Sequence, residues 1–385
     1  MVKDILAACS FVIAKQSLRE GIDLMASPAD SDRCVRLLIN HLSSLKGSIL
    51  IVADENWSDE DWSSVTKLTN YNINVLTNRW NVFLNAKAAG LDSLFNDFNF
   101  SHYSSEQFDS VIYRVSKERA TTYHVINQVV RILKSRAELY LSGKKNDGIK
   151  NYVKQSSTLF GHRSQAKKFG SDYFASILKN NSLNSSLPDK SYAKLRRVQT
   201  LNQGKYLSKP GIFGWDKIDR GSAFLIENLP DFIKTLGVSP KTVLDLGCGY
   251  GYIACEASNH DFQYIMATDN NAAAITACKK NFERLLKGNY DVVASDAGGM
   301  INKSFDLILC NPPFHQGFSV KPSFISKFLS STSNLLSQSG CAIFVVNKFI
   351  PIDQIALQYF NEVKVMKSTE SFKLIKLKFG KSDIK

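Results

Sequence analysis

The sequence predicts an α/β protein made of two successive domains, and three observations carry this prediction. The chain has 385 residues, which is more than one ordinary hydrophobic core organises. Residues 241–270 follow the order strand, glycine-rich loop, helix, strand and acidic residue, which is the βαβ layout of a nucleoside-binding unit. A similar succession of strands and helices occurs in the first half. We place the two domains at residues 1–195 and 196–385.

The first half alternates between helical and strand patterns. Apolar residues recur at helical spacing from Val2 to about Leu45, and a second helix is predicted over residues 121–135. Short apolar runs predict strands at 48–52, 73–77, 110–113 and 137–141.

A polar and basic segment from Asn146 to Asn202 separates the two halves, and we interpret it as a transition with an exposed linker at 180–186. A helix predicted over 223–229 precedes the second set of strands. We predict these strands at 243–246, 264–268, 291–295, 305–310 and 341–346. Apolar residues then alternate with lysine in two final runs, 362–366 and 372–379, which predicts a closing β-hairpin.

The strands of the two halves resemble each other, which indicates an internal repeat. The runs at 46–51, 108–113 and 137–141 correspond to those at 241–245, 305–310 and 341–346. The spacings agree loosely, so chance similarity between two α/β segments is the alternative. The chemistry-bearing residues do not repeat, because Ala53-Asp54-Glu55 replaces the glycines and Arg114 to Lys117 replaces Asn311 to Phe314. We expect the first copy to have kept the fold and lost the chemistry.

The charge balance favours a polyanionic partner. Lys and Arg number 48 against 35 Asp and Glu, which gives a formal net charge of +13. Nucleic acid is the first expectation and an anionic membrane surface the second, while basic solvated faces are the alternative.

Cysteine usage and apolar patterning indicate a cytoplasmic protein. The seven cysteines show no C-x-x-C spacing, so we expect reduced core thiols and no metal site. No apolar run reaches the length of about 18 residues that a membrane span requires. Residues 5–14 are apolar, but Asp4 precedes them and the helical pattern continues, so we expect no secretion signal.

The glycine-rich loop predicts a site for a nucleoside-containing ligand, because glycine lets the backbone approach a ligand where a Cβ atom would collide. Asp245, at the end of the strand, can shape the loop or balance a positive charge. Asp269 suits ribose hydroxyls, and Asp296 suits an adenine amino group, although Asp-Ala-Gly-Gly is also a turn sequence. The predicted cofactor-binding residues are Asp245, Gly247, Gly249, Gly251, Asp269, Asp296 and Asn311.

The sequence Asn311-Pro312-Pro313-Phe314 predicts the chemistry. A planar amine is a poor nucleophile because its lone pair is delocalised. The side-chain oxygen of Asn311 and the carbonyl of Pro312 can accept its hydrogens, which directs the lone pair at an electrophilic methyl group. Phe314 can stack on the target ring. The predicted catalytic residues are Asn311, Pro312 and Phe314, and His315 is expected to be solvated or structural rather than a base.

These motifs resemble those of class I S-adenosylmethionine-dependent methyltransferases that methylate amines through an N-PP-[FY] loop. The resemblance covers residues 209–379 and is closest to the bacterial ribosomal RNA guanine-N2 methyltransferases. It rests on Pro210-Gly211-Ile212-Phe213, Asp219-x-Gly221-Ser222, the glycine loop from Asp245, and the run from Asn311 to Gly317.

The resemblance implies two tandem Rossmann-like class I methyltransferase domains, the N-terminal one degenerate, with strand order 3-2-1-4-5-7-6. It implies S-adenosylmethionine as cofactor, held at the cofactor-binding residues named above, and guanine held by Asn311, Pro312 and Phe314. The degenerate domain, 1–195, is expected to support the catalytic domain, 196–385, and to dock RNA.

The expected activity is methylation of guanine N2 in ribosomal RNA, with 16S RNA favoured over 23S RNA. The expected partner is ribosomal RNA or the small ribosomal subunit; no membrane or metal is expected, and a monomer is favoured. The alternatives are another amine methyltransferase acting on DNA adenine or protein glutamine, and a non-catalytic RNA-binding assembly factor. Retention of Asp245, Asp269 and Asn311 together argues against a non-catalytic role.

Overall fold

The computed structural model describes residues 31–68, 71–180, 185–198, 204–313 and 322–379. The chain divides into two compact units, with the division between Ala193 and Lys194. Each unit is built around a seven-stranded sheet. Most of the helix predicted to begin at Val2 lies outside the described residues, and its remaining part is the helix Arg33–Leu42.

The first unit has these elements within its described residues. Helices α1 to α5 span Arg33–Leu42, Trp62–Thr66, Trp80–Ala88, Arg119–Ile132 and Ile149–Leu159. Strands β1 to β7 span Ile49–Ala53, Ile73–Thr77, Asp92–Phe95, Phe108–Arg114, Leu133–Lys144, Lys167–Phe169 and Asp172–Leu178. The helix predicted over 121–135 ends at Ile132, because the chain turns directly into strand β5 at Leu133.

The second unit opens with a short two-stranded sheet and then repeats the α/β pattern. Helices α6 to α10 span Arg220–Lys234, Tyr252–Ala257, Ala272–Leu285, Pro322–Leu335 and Ile352–Ala356. Strands β8 to β16 span Arg196–Arg197, Leu207–Ser208, Thr242–Leu246, Tyr264–Asp269, Asn289–Ala294, Phe305–Cys310, Leu336–Asn347, Glu362–Ser368 and Phe372–Lys378.

Both large sheets have the strand order 3-2-1-4-5-7-6. The orders are β3-β2-β1-β4-β5-β7-β6 and β12-β11-β10-β13-β14-β16-β15. In the spatial order of each sheet, the first five strands are parallel to one another. The last two strands are antiparallel to each other and form a hairpin. The prediction of two tandem Rossmann-like domains is therefore confirmed. The carboxyl ends of strands β10, β11 and β13 meet at one edge, where a doubly wound sheet binds its ligand.

The internal repeat is confirmed in atomic detail near the start of each fourth strand. Asp109 accepts a hydrogen bond from the backbone nitrogen of Ser48 at 2.8 Å. Asp306 accepts one from the backbone nitrogen of Thr242 at 3.1 Å. The same acid thus ties the fourth strand to the start of the first strand in both units.

The interpretation of residues 146–202 as a transition segment is wrong for much of its length. Residues 149–178 form helix α5 and strands β6 and β7, which complete the first sheet. Strand β6 has only three residues, and its two lysines are exposed because it lies at the edge of the sheet. The polar composition therefore reflects an edge strand and a half-exposed helix, not a linker. Part of the predicted linker, residues 181–184, lies outside the described residues.

The central strands are buried on both faces because helices cover both sides of a parallel sheet. All five residues of β1 and of β2 are buried. The six cysteines in the described part of the chain are free and buried, which confirms the prediction of reduced core thiols there. Among the described residues, no helix is long and apolar enough to cross a membrane. The same residues contain no cluster of three potential metal ligands.

Candidate active site

Two glycines of the loop after β10 would accommodate an added Cβ atom without a clash against the described residues. Gly247 and Gly249 have φ angles of 82° and 54°, in the left-handed region that favours glycine. A Cβ atom on Gly247 would come no closer than 3.8 Å to Phe328, and one on Gly249 no closer than 3.9 Å to Ile212. No described side chain therefore occupies these two positions, and the approach of a ligand to the backbone there stays a prediction.

Gly251 is required for a different reason, the packing of this loop against helix α8. Its φ is 87°, and a Cβ atom there would lie 2.7 Å from the sulfur of Cys278 and 3.3 Å from the ring of Phe282. The structure thus gives Gly251 a packing role. Its predicted contact with a cofactor stays a prediction.

Asp245 is fully buried near the end of β10 and has one unpaired oxygen. Its Oδ2 accepts a hydrogen bond from the backbone nitrogen of Ala254 at 3.0 Å, whereas its Oδ1 is buried and finds no partner in the described part of the chain. Burial raises the pKa of Asp245 to about 7; the Ala254 hydrogen bond opposes this shift and the Asp269 carboxylate adds to it. A positively charged or donating ligand group would satisfy this carboxylate, because an unpaired buried acceptor is costly.

Asp269 ends β11 and holds the glycine loop against that strand. Its Oδ2 accepts a hydrogen bond from the backbone nitrogen of Gly249 at 2.9 Å, and its Oδ1 accepts one from Asn271 at 2.8 Å. A carboxylate oxygen can accept more than one hydrogen bond, and the contact of Asp269 with ribose hydroxyls stays a prediction. The side chain of Asn271 donates to the carbonyl of Gly211 at 2.8 Å and so ties the Pro-Gly-Ile-Phe segment to the loop.

Asp296 lies two residues beyond β12, at the same edge of the sheet. Its Oδ2 pairs with Lys327 of helix α9, and its Oδ1 is 3.5 Å from the side-chain nitrogen of Asn270. Its carbonyl also accepts a hydrogen bond from Gly299 at 3.1 Å, as a turn residue would. The turn is therefore present, and a contact with an adenine amino group stays a prediction.

Asn311 directly follows β13, which pairs with β10, so it lies beside the glycine loop. Its side-chain nitrogen donates to Asp219 Oδ2 and to Ser222 Oγ, both at 2.8 Å. Its side-chain oxygen is buried and has no hydrogen-bond partner among the residues that the structure describes. This oxygen is therefore available to a substrate amine within the described part of the chain, and its catalytic role stays a prediction.

The rest of the predicted catalytic loop is only partly described. Pro312 is buried and Pro313 is exposed. Phe314 and His315 lie outside the described residues, so the predicted stacking and the dispensable histidine stay predictions.

Comparison with known proteins identifies the family. The model of the methyltransferase small domain matches residues 203–376, and the model of the methyltransferase small domain N-terminal region matches residues 36–185. Between them, the two matches cover most of the chain. This chain belongs to the methyltransferase small-domain family.

Two relatives of this methyltransferase are named ribosomal RNA small subunit methyltransferase C. The protein from Psychromonas ingrahamii is 28% identical over 284 residues, covering 72% of this chain and 78% of its own. The protein from Shewanella pealeana is 29% identical over 288 residues, covering 72% and 80%.

A solved structure shares the fold of the whole methyltransferase. It is the T. thermophilus 16S rRNA N2 G1207 methyltransferase in complex with AdoMet and guanosine, with a TM-score of 0.78 and 22% sequence identity. The match covers 92% of this chain and 94% of that chain.

The N-terminal methyltransferase domain has a buried ion-pair network where the second domain has its acceptor. Counted from the aligned starts of β4 and β13, Arg114 occupies the position of Asn311. Its guanidinium is 3.1 Å from Asp32 and 2.9 Å from Asp147, and its side chain is 3% exposed. Arginine has no acceptor to offer an amine. This end of the first sheet is therefore built as a structural ion pair.

The glycine loop is also absent from the N-terminal domain. Ala53, Asp54 and Glu55 stand in its place, and Asp54 has a φ of −117°, so the chain does not turn as it does at Gly247. Asp54 is buried and Glu55 pairs with Arg79 at 2.7 Å. Side chains thus occupy positions at which the second domain offers bare backbone.

Sequence reasoning missed the role of Asp219 and Ser222. The string Asp219-x-Gly221-Ser222 served only as part of the family resemblance. An aspartate three residues before a serine, directly ahead of an apolar helical run, is an N-cap signal. That signal predicts the start of helix α6 but not its contact with Asn311, which lies 92 residues further along the chain.

Proposed function

We propose that this methyltransferase transfers a methyl group from S-adenosylmethionine to the exocyclic N2 amine of a guanine in 16S ribosomal RNA. The names of the relatives support the ribosomal RNA of the small subunit as substrate. The T. thermophilus protein, which has the same fold, is a 16S rRNA N2 methyltransferase in complex with AdoMet and guanosine. The observation that carries the proposal is the buried Oδ1 of Asn311, which has no hydrogen-bond partner among the described residues and lies beside the glycine loop.

The residues around the loop fit S-adenosylmethionine. When bound, the cofactor supplies an electrophilic methyl group on a positively charged sulfur. Gly247 and Gly249 leave room for it against the backbone, and Asp269 can accept hydrogen bonds from its ribose. The unpaired Oδ1 of Asp245 suits its cationic part. We assign these residues, with Gly251 and Asp296, to the cofactor side of the site.

Asn311 acts on the substrate amine. Its Oδ1 accepts a hydrogen bond from the guanine amino group. This bond aligns the nitrogen lone pair and stabilises the positive charge that develops during transfer. The carbonyl of Pro312 accepts a hydrogen bond from the second hydrogen of the amine. After transfer the nitrogen is acidic and gives its proton to water, so no base is needed beforehand. The guanine must leave its stack to reach this site, and Phe314 replaces part of the missing stacking.

The N-terminal domain, residues 1–195, supports the catalytic domain, 196–385, and docks RNA. Lys168 of β6 pairs with Tyr173 of β7, and Tyr173 pairs with Gly143 of β5. Lys168 therefore lies at the same end of the sheet as Lys144, the last residue of β5. Further exposed cations in this part of the chain are Lys145, Arg163 and Lys167. Phosphate contacts of this kind give affinity without sequence preference. The substrate and the charge together favour action on RNA in the cytoplasm.

A labelled-methyl assay with a panel of substrates tests the proposed function. Purified protein is incubated with isotopically labelled S-adenosylmethionine and 16S RNA, small ribosomal subunits, 23S RNA, duplex DNA or cellular protein. Mass spectrometry of the digests should find the label in N2-methylguanosine from 16S RNA or the small subunit. Label in DNA adenine or protein glutamine would contradict the proposed substrate. Cofactor binding without transfer to any substrate would favour a non-catalytic assembly factor.

A further inference from the structure

We infer that Asp219 and Ser222 are positioning residues that fix the orientation of the Asn311 amide, so that its oxygen faces the substrate. The inference rests on the proposed function and concerns how that acceptor is held. It rests on three hydrogen bonds. Two of them join Asn311, which follows β13, to helix α6, and the third lies within the first turn of that helix.

The hydrogen bonds to helix α6 use every donor that the Asn311 side chain has. One hydrogen of its amide goes to Asp219 Oδ2 and the other to Ser222 Oγ, each over 2.8 Å. If the amide turned by 180°, its oxygen would lie against a carboxylate oxygen, the hydrogen bond to Asp219 would be replaced by repulsion, and NH₂ would face the substrate. An amide NH₂ cannot accept a hydrogen bond from an amine. The orientation of this one amide therefore decides whether the site can hold its substrate.

The Asp-x-Gly-Ser sequence explains how Asp219 is held in turn. Asp219 is the N-cap of helix α6, and its Oδ2 accepts a hydrogen bond from the backbone nitrogen of Ser222 at 2.8 Å. A Cβ atom on Gly221 would lie 3.1 Å from Asp219 Oδ2 and 3.2 Å from the ring of Phe372. Glycine at this position therefore leaves the carboxylate free to reach Asn311. Each of the three residues has its own part in holding the amide.

The N-terminal domain contains the same link without the acceptor. Asp32 is the N-cap of helix α1, and its Oδ1 accepts hydrogen bonds from the backbone nitrogens of Cys34 and Val35. Its Oδ2 accepts a hydrogen bond from Arg114 at 3.1 Å. An N-cap aspartate thus holds the residue at the end of the fourth strand in both domains. In the second domain that residue is Asn311, whose side-chain oxygen has no partner among the described residues, whereas the side chain of Arg114 has no oxygen.

A double-mutant cycle separates positioning from a purely structural role. Asp219→Asn keeps a good N-cap residue, but the carboxylate oxygen that accepts from both Ser222 and Asn311 becomes a neutral amide oxygen, so the hydrogen bond that fixes the Asn311 amide is weakened. Ser222→Ala removes the second acceptor. We expect Asp219→Asn to lower the single-turnover rate roughly tenfold to hundredfold with RNA and cofactor saturating. Cofactor affinity and the urea midpoint should be unchanged.

Both substitutions are then combined with Asn311→Ala. If Asp219 and Ser222 act through Asn311, each should change the rate of Asn311→Ala by less than about twofold, because the group they orient is already gone. Asp61→Asn is the matched control, since Asp61 is the N-cap of helix α2 in the other domain. Its rate should equal that of wild type. Fully additive effects in the cycle, or a wild-type rate for Asp219→Asn, would overturn the inference.

Nuclear magnetic resonance tests the orientation without a substrate. Protein labelled with ¹⁵N at asparagine gives a side-chain amide pair for Asn311, which is assigned by its absence from Asn311→Ala. In Asp219→Asn this pair should shift and its hydrogens should exchange faster with water. Unchanged resonances and exchange would also overturn the inference. Wild-type protein that methylates no guanine would instead contradict the proposed function, and the amide measurement would still decide the orientation.

Discussion

Replacing Gly249 with valine tests whether the glycine loop binds the cofactor. Gly249 has a φ of 54°, and the nearest atom to an added Cβ is 3.9 Å away. The Cβ atom of a valine therefore meets no close contact with the described residues, but valine must adopt a left-handed backbone, at a cost of about 1–2 kcal/mol of folding stability. Its methyl groups would fill the space that the cofactor needs. We expect affinity for S-adenosylmethionine to fall by at least about 100-fold, which corresponds to about 2.8 kcal/mol.

Gly288→Val is the matched control for this strain. Gly288 has a φ of 95° and no atom within 4 Å of an added Cβ, and it precedes β12 at the opposite end of the sheet from the loop. Both variants should lose a similar free energy of unfolding, but Gly288→Val should bind the cofactor as wild type does.

Calorimetric titration and urea unfolding measure the two effects separately. Cofactor at 100 times its Kd should raise the free energy of unfolding of wild type by about 2.7 kcal/mol. It should raise that of Gly288→Val equally and that of Gly249→Val hardly at all. Micromolar binding by folded Gly249→Val, or an equal loss of affinity in Gly288→Val, would refute the assignment of the cofactor to this loop.

Four further predictions concern Asn311, Asp245, the N-terminal domain and the basic residues proposed to contact RNA. Asn311→Ala should keep its cofactor affinity and lose about 2.7–4 kcal/mol of transition-state stabilisation in single-turnover assays, roughly a hundred- to thousandfold in rate, while His315→Ala stays largely active. The pKa of Asp245 is raised from 3.8 to about 7 in the folded protein, so the stability that this acid contributes is complete below pH 4 and is lost as the pH rises through 7. Asp245→Asn should therefore gain unfolding free energy relative to wild type between pH 4 and 7, on the order of 4 kcal/mol at most, as measured by urea unfolding. Calorimetry of the full chain should find one cofactor site and not two, because the N-terminal domain lacks the glycine loop. Neutralising the basic edge should weaken RNA binding, and the slope of log affinity against log salt should fall by about one unit for each phosphate that is no longer neutralised; the residues to replace are Lys144, Lys145, Arg163, Lys167 and Lys168.

The order of the strands was implied by the family resemblance, whereas the glycine loop and the strand ends around it could be predicted because their signals are local. The glycine loop, the acid after β11 and the Asn-Pro-Pro sequence each lie within a few residues of a strand end, and a parallel sheet brings such ends together. Strands β6 and β7 could not be predicted in the same way. Strand β6 has three residues and two exposed lysines, so only its pairing with β7 shows that it belongs to the sheet.

The hydrogen bonds that hold the Asn311 side chain could not be predicted from the sequence, because they join residues that are distant in the chain. Asp219 and Asn311 are 92 residues apart, and no spacing rule joins an N-cap to a strand end. Gly251 shows the opposite difficulty. It looks like its neighbours in the glycine loop, but the space beside it is occupied by Cys278. A sequence motif predicts that a position requires glycine. The structure is needed to show whether a ligand or a neighbouring side chain occupies the space beside it.

The central claim is tested most directly by mass spectrometry of ribosomal RNA from cells with and without this protein. Deletion should remove N2-methylguanosine at one position of 16S RNA and leave 23S RNA unchanged. Wild-type protein should restore the modification and Asn311→Ala should not. Full N2-methylation of 16S RNA in the deletion strain, or a loss confined to 23S RNA, would contradict the account.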